Sequence, residues 1–189
     1  MIVYRTKPLI DLKHRYRELS NLAFNQTDKS AYRSRTRAFA ENGFVITYAE
    51  EFGKIIGTIA HNTVSREFIP ATEDSDVSAE LKSLGIDPYK IAVTPMIYVH
   101  PDCQGRGVNS ALYAKAMAYN YDLGYRFHGM HVYASKNVYE WTIRKEGAFE
   151  LETEDPTPAH PCGKFPIVMI PINPPEELVD TLTDTTSTV

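Results

Sequence analysis

Six consecutive residues, Gln104-Gly105-Arg106-Gly107-Val108-Asn109, carry the most specific chemistry in this chain of 189 residues. They stand between an apolar run, Ile91 to Val99, and a segment from Ser110 to Leu123 in which Leu112, Ala116, Tyr119 and Leu123 recur at helical spacing. Two glycines let the backbone come close to a ligand, and unpaired N–H groups at the start of a following helix can receive a phosphate or pyrophosphate. The spacing is neither the GxxxxGKS/T of a nucleoside-triphosphate loop nor the GxGxxG of a dinucleotide fold, so ATP and NAD are disfavoured. A strand-to-helix turn that needs glycine for its backbone alone fits the same spacing.

Other reactive groups are sparser. His128 and His131 are three apart on a β-prone run, which puts them on opposite faces of a strand; no carboxylate or cysteine pair is near in sequence, and no metal site is expected. Cys103, just before the glycine loop, reads as a buried, inert thiol. With Cys162 it shows no metal-type spacing and suits a reducing, cytoplasmic compartment. Groups near the loop that could accept a proton are His100, Tyr98, Glu140 and ordered water, and the sequence does not choose among them. Tyr133 and Tyr139 are the nearby phenols. Arg33, Arg35 and Arg37 read as a solvated face.

The elements that must position these groups follow from hydrophobic period and turn chemistry. Met1 to Tyr4 reads as a strand, and Pro8 to Phe24, with Leu9, Leu12, Tyr16, Leu19 and Ala23 three or four apart, as a helix. A second helix starts after Asp28, runs to Phe39 and stops at Asn42-Gly43. Phe44 to Ala49 and Lys54 to Thr63 form an antiparallel pair turning at Gly53. Residues 64–90 are a polar insertion with a short helix at Ala79 to Leu84. Within Ile91 to Val99, Pro95 cannot donate a ladder hydrogen bond, which predicts a bulge or a gap in pairing. Phe127 to Ala134, Asn137 to Lys145 and Phe165 to Ile172 read as strand, helix and strand, with a short strand near Phe149. A single domain over residues 1–172 is followed by an acidic tail from Asn173.

Lys plus Arg number 20 and Asp plus Glu 24, a net charge of -4 that argues against wrapping nucleic acid. The charge is uneven, residues 1–66 carrying +5 and residues 148–189 carrying -7. No apolar run approaches the ~20 residues of a spanning helix. Met1 to Pro8 lacks an apolar signal region, so a soluble protein with no membrane partner is expected.

The stretch from Ile97 through Leu112 resembles the acetyl-CoA motif of the GNAT family of N-acetyltransferases, written Q/R-x-x-G-x-G/A, and the order of elements resembles theirs. The departure is Asn109 at the last position, where asparagine's tolerance of unusual backbone angles would keep the loop. The resemblance implies an α/β (α+β) domain with a central mixed, splayed β-sheet flanked by helices. It also implies that acetyl-CoA's pantetheine arm runs along Ile97, Tyr98 and Val99. The pyrophosphate would rest on Gln104, Gly105, Arg106, Gly107, Val108, Asn109 and Ser110, and the Val99 backbone N–H would stabilise the oxyanion.

A looser resemblance, Val132 to Asn137 and Gly147-Ala148-Phe149, adds Asn137 to the cofactor-binding set. Where many members carry a tyrosine general acid, this chain has Arg144 or Ile143, depending on the residue aligned; Tyr139 and Tyr133 are the nearby phenols that could protonate a leaving thiolate, and a structural role for either is the commoner one. The acceptor would lie between roughly Leu22 to Arg37 and Glu150 to Lys164. Glu152, Glu154 and Asp155 suit a cationic amine, and the arginines suit an acceptor with a carboxylate or phosphate. The implied activity is acetyl transfer from acetyl-CoA, as co-substrate and without metal, to a primary amine. The rivals are an acyl-CoA-binding regulatory module without turnover and a loop that holds another phosphate ligand. The acceptor and the oligomeric state, a homodimer included, stay open.

Overall fold

The structure, a computed structural model, describes residues 1–22, 36–62, 76–87, 90–131, 136–151 and 167–174. Its strands are β1 (Val3–Pro8), β2 (Val45–Glu51), β3 (Lys54–Asn62), β4 (Ile91–Val99), β5 (Phe127–His131), β6 (Phe149–Leu151) and β7 (Ile167–Pro171), in one sheet of order β1-β2-β3-β4-β5-β7-β6. Neighbours are antiparallel except β4 and β5, which are parallel and need a crossover. The helices are α1 (Tyr16–Leu22), α2 (Asp76–Ser83), α3 (Val108–Asp122), which makes that crossover, and α4 (Lys136–Ile143); residues 36–41 are also helical.

Strand alternation sorts the core into two layers. Ile46 and Tyr48 pack with Leu9, Leu12, Leu19, Leu22 and Phe44 beneath α1, while Ala49 on the other face packs with α3. α3 buries Val108, Leu112, Tyr113, Ala116, Met117 and Asn120. The expected stripe is corrected here: Leu123 sits at the C-cap, about half exposed, and Tyr113 and Met117 fill the face instead. Gly57 on β3 is what lets α3 close down. A Cβ there would stand 3.0 Å from both Leu112 Cδ1 and Val108 Cγ1. α2 covers the other face beside Ile91, Val93, Leu151 and Met169.

Two further expectations change. β1 runs on past Tyr4 to Pro8, with Arg5, Thr6 and Lys7 opposite Tyr48, Thr47 and Ile46, because an edge strand tolerates polar residues that a central one does not. The helix expected from Pro8 begins as a 3-10 segment, Leu9–Arg15, broken at Leu12 (φ -99, ψ 19), and becomes α-helical at Tyr16. Leu9 and Leu12 are three apart, a spacing that serves a 3-10 turn as well as an α-helix. The Leu9 N–H donates to the Phe44 carbonyl at 2.8 Å and fixes the start of this segment to the sheet. Arg15 then clamps α1 to the β2–β3 turn through Glu18 at 2.8 and 3.0 Å, the Gly53 carbonyl at 3.0 Å, and Glu50. The start of the second helix, the insertion up to residue 75, residues 132–134 of the expected strand and the tail from residue 175 lie outside the described residues.

Candidate functional site

β4 has two unlike halves. Ile91, Ala92 and Val93 pair with Phe127, His128 and Gly129 of β5, and there the ladder stops. β5 continues to His131 against β7, and β4 continues to Val99 against β3. On the β3 side Ala60 faces Met96 while Asn62 faces Val93, so Thr94 and Pro95 together stand opposite His61. That is a bulge, at the proline that predicted one. From Thr94 to Val99, β4 has no ladder partner on its β5 side among the described residues.

The direction of the peptide groups in this limb is fixed by phase. The His100 N–H donates to the Ile56 carbonyl of β3 at 2.8 Å, and Gly57 lies opposite Val99. Antiparallel alternation therefore points the Tyr98 and His100 amides at β3, and the Ile97 and Val99 amides and carbonyls at the opposite edge. Ile97 and Val99 side chains pack on the α3 layer and Tyr98 on the α1 layer.

The limb leads straight into the glycine loop. A 3-10 turn, Pro101–Cys103, comes first; His100 Nδ1 accepts the Asp102 N–H at 3.2 Å, so this imidazole caps the turn. Gly105 and Gly107 have φ of +73 and +74, and a Cβ at either would meet nothing within 4 Å. Glycine is required for the left-handed backbone, and the space over the loop is open. Gly107 caps α3 without a side-chain bond, so the first-turn N–H groups of Val108, Asn109 and Ser110 keep the electropositive end of the helix. The Val108 side chain is buried, leaving its backbone for the loop. Asn109 is half-buried in the first helical turn with no left-handed angle, which corrects the reason for its tolerance: the position does not call on unusual dihedrals.

Arg106 does not lie over the loop. Its guanidinium donates to both Glu51 oxygens at 2.9 and 2.8 Å and to the buried Cys103 Sγ at 3.5 Å, tying the loop to the end of β2. Each partner favours the other's charge, the Glu51 carboxyl lying below its ordinary range and the Arg106 guanidinium above. Gln104 Nε2 makes a long bond, 3.5 Å, to the Val99 carbonyl.

Asn137 and Tyr139 lie in the first turn of α4. Arg144, at the expected acid position, is exposed and paired with Glu140 at 3.5 Å. Tyr133, Arg33, Arg35, Glu152, Glu154 and Asp155, and with them most of the expected acceptor region, lie outside the described residues.

A polar layer under α3 escaped the sequence reading. His61 is fully buried, bonded through Nδ1 to Asn120 Oδ1 at 2.9 Å and through Nε2 to Thr47 Oγ1 at 3.2 Å. His128 is equally buried, its Nδ1 3.3 Å from the Tyr113 hydroxyl and its Nε2 on Thr94 Oγ1. Burial pushes His61 down to about 4 and, with the neighbouring His61 adding to the effect, His128 down to about 3. Both are neutral near pH 7. The signal that could have exposed the layer was the recurrence of Thr, His and Asn at inward positions of otherwise apolar elements. Among the described residues no cluster of three His, Cys, Asp or Glu could hold a metal ion, and no helix is long and apolar enough to cross a membrane.

The sequence profile of the Acetyltransferase (GNAT) family matches residues 11–141. No curated protein matches the chain by sequence. Solved structures share the fold. An acetyltransferase of the GNAT family from Staphylococcus aureus Mu50 aligns with a TM-score of 0.62 at 10% identity, over 92% of this chain and 100% of that one. The ribosomal-protein-S18-alanine N-acetyltransferase of Escherichia coli aligns at 0.58 and 15%, over 92% and 95%. The diaminobutyrate acetyltransferase of Paenibacillus lautus, in complex with L-2,4-diaminobutyric acid and coenzyme A, aligns at 0.58 and 16%, over 91% and 95%.

Proposed function

The chain belongs to the GNAT acetyltransferase family, and on that premise we propose that it transfers an acetyl group from acetyl-CoA to a primary amine, the amine attacking the thioester directly. The observation that carries this reading is the half-paired β4: a strand limb with no ladder partner on its β5 side among the described residues, running into a glycine loop at the N-terminus of α3. The residues fit an elongated ligand with amides at one end and a pyrophosphate at the other. Ile97 and Val99 offer the peptide groups that the pantetheine amides would pair with, since bare backbone edges seek such partners. The N–H groups from Gly105 to Ser110 offer the anion cradle.

Acetyl-CoA supplies the activated acyl group. The Val99 N–H faces the edge where the developing oxyanion needs a donor. Proton removal from the ammonium falls to His100, Tyr98, Glu140 or solvent, with His100 Nδ1 already engaged by its turn and Glu140 by Arg144. Tyr139, with Asn137 in the same first turn of α4, is the phenol we assign to protonate the departing thiolate. The structural relatives named above act on a protein alanine and on a diamino acid, so the acceptor here is assigned at the level of a primary amine.

A second reading, a CoA-binding module without turnover, is favoured by Arg144 and Ile143 standing where many relatives carry the acid. Calorimetry with acetyl-CoA and CoA, on the wild type and on Gly107→Trp, tests the shared part. Micromolar binding that the variant abolishes is expected; absence of binding to the wild type overturns both readings. Thiol release with a panel of amines then separates them, turnover supporting the enzyme and its absence, with binding intact, supporting the module.

A further inference from the structure

β4 leaves β5 immediately after Val93, and one side chain spans the parting. His128 of β5 lies opposite Ala92 in the ladder, yet its Nε2 reaches forward to the Oγ1 of Thr94, the first residue of the diverging limb and part of the bulge against β3. Its other nitrogen lies 3.3 Å from the Tyr113 hydroxyl, six residues into α3 from the capping Gly107. One buried imidazole thus connects β5, the bare-edged limb of β4 and the helix that carries the loop. Thr94 is itself buried, so water does not replace this bond when it is lost.

We propose that His128 is a positioning residue for the acyl-donor cleft, holding Thr94 and Tyr113 so that the bare edge of β4 and the loop on α3 keep the spacing that one CoA molecule requires. The inference rests on the acetyl-CoA reading above. Strands that part are free to drift, and the course of the β4 limb toward Ile97 and Val99 is set where it leaves β5. The His128–Thr94 bond acts at that point, three and five residues before the peptide groups concerned. A ring that merely filled space would be replaceable by an apolar side chain of similar size. A ring that positions the limb is replaceable only by a group that keeps the bond to Thr94.

The test compares CoA dissociation constants for wild type, His128→Leu, His128→Gln, Thr94→Val and the Leu/Val double variant, with thermal melts on the same samples. Loss of a buried hydrogen bond that shapes the cleft weakens CoA by about tenfold in His128→Leu. His128→Gln, which can still reach Thr94, recovers most of that loss. Thr94→Val, nearly isosteric and expected to fold even where the leucine variant does not, weakens CoA to a similar extent, and the double variant is no worse than either single one. In whichever amine assay gives turnover, KM for acetyl-CoA rises and kcat holds. Lower melting temperatures with CoA affinity unchanged in both His128→Leu and Thr94→Val overturn the inference, as does failure of glutamine to rescue. Those outcomes leave the acetyl-CoA reading standing, whereas a wild type that binds no CoA removes both.

Discussion

The two halves of β4 are built from similar residues and live in different surroundings. Ile91, Ala92 and Val93 are all paired to β5, Val93 also faces Asn62 of β3, and the three are sandwiched between α2 on one face and α3 on the other. Ile97, Tyr98 and Val99 are paired on one edge, held from the side by packing and from the end by the loop. The first half is architecture, its β5 edge closed to a ligand by the parallel ladder. The second half keeps a polar edge in reserve. The difference arises at Thr94 and Pro95, where a bulge and a missing donor interrupt the ladder.

The largest way to break the junction between the halves is acid. His61 faces Thr47, Asn120 and the Tyr119 ring; His128 faces Thr94, Tyr113 and, electrostatically, His61. Their folded pKa values, about 4 and about 3, lie below the 6.5 of an unfolded histidine, so the unfolded chain binds more protons as the pH drops. Their contribution is fully present above about pH 6.5 and is lost as the pH falls toward these folded values, on the order of several kcal/mol in all. Urea midpoints between pH 7.5 and 4 measure it. Replacing His128 by Gln flattens the dependence by about one proton, ~1.4 kcal/mol per pH unit.

Of intermediate size is a pair of insertions that asks which half a ligand depends on. Gly57→Val presses on Val108 and Leu112 opposite Val99, whereas Ala92→Val crowds the same α3 layer beneath the half paired to β5. Each costs about 1–3 kcal/mol of stability by overpacking. Gly57→Val also weakens CoA binding, because it shifts α3 and its loop, and Ala92→Val leaves CoA binding near wild type. Equal loss of CoA affinity in the two variants would erase the distinction between the halves. Chemical denaturation and calorimetry on both proteins decide it.

The smallest effect is at the loop itself. Glu51→Gln releases Arg106 from its carboxylate partner and removes a negative charge beside the proposed pyrophosphate cradle. CoA binding tightens by about two- to fivefold at low salt, and the gain shrinks as salt screens it. The pair is exposed enough that the melting temperature barely moves. Calorimetry at 20 and 300 mM salt, values chosen to bracket roughly twofold or more in Debye length, checks the prediction.

Much of this was legible in the residues. The hairpin of β2 and β3, the helix after Gly107, the bulge at Pro95 and the loop itself rest on local chemistry: turn glycines, a missing proline donor and strong periodicity. The 3-10 character of Leu9–Arg15 was not legible, because a spacing of three serves either helix and the tie from Leu9 to Phe44 spans 35 residues of sequence. The Arg106–Glu51 pair was equally hidden, joining positions 55 apart. His128 was weighed only as a metal ligand and set aside, since a histidine on a strand does not announce whether a threonine two residues along the neighbouring strand will meet it.

The sequence by itself determined that a glycine-capped loop at a helix start would follow a central strand with a defect in its pairing, since those properties belong to the residues and their immediate neighbours. Tertiary structure decided where β4 parts from β5, which buried side chains meet at the parting and where Arg106 spends its charge. These depend on contacts between residues far apart in the chain, and the free energy of burying a histidine or pairing an arginine is set by the partners that folding brings to it.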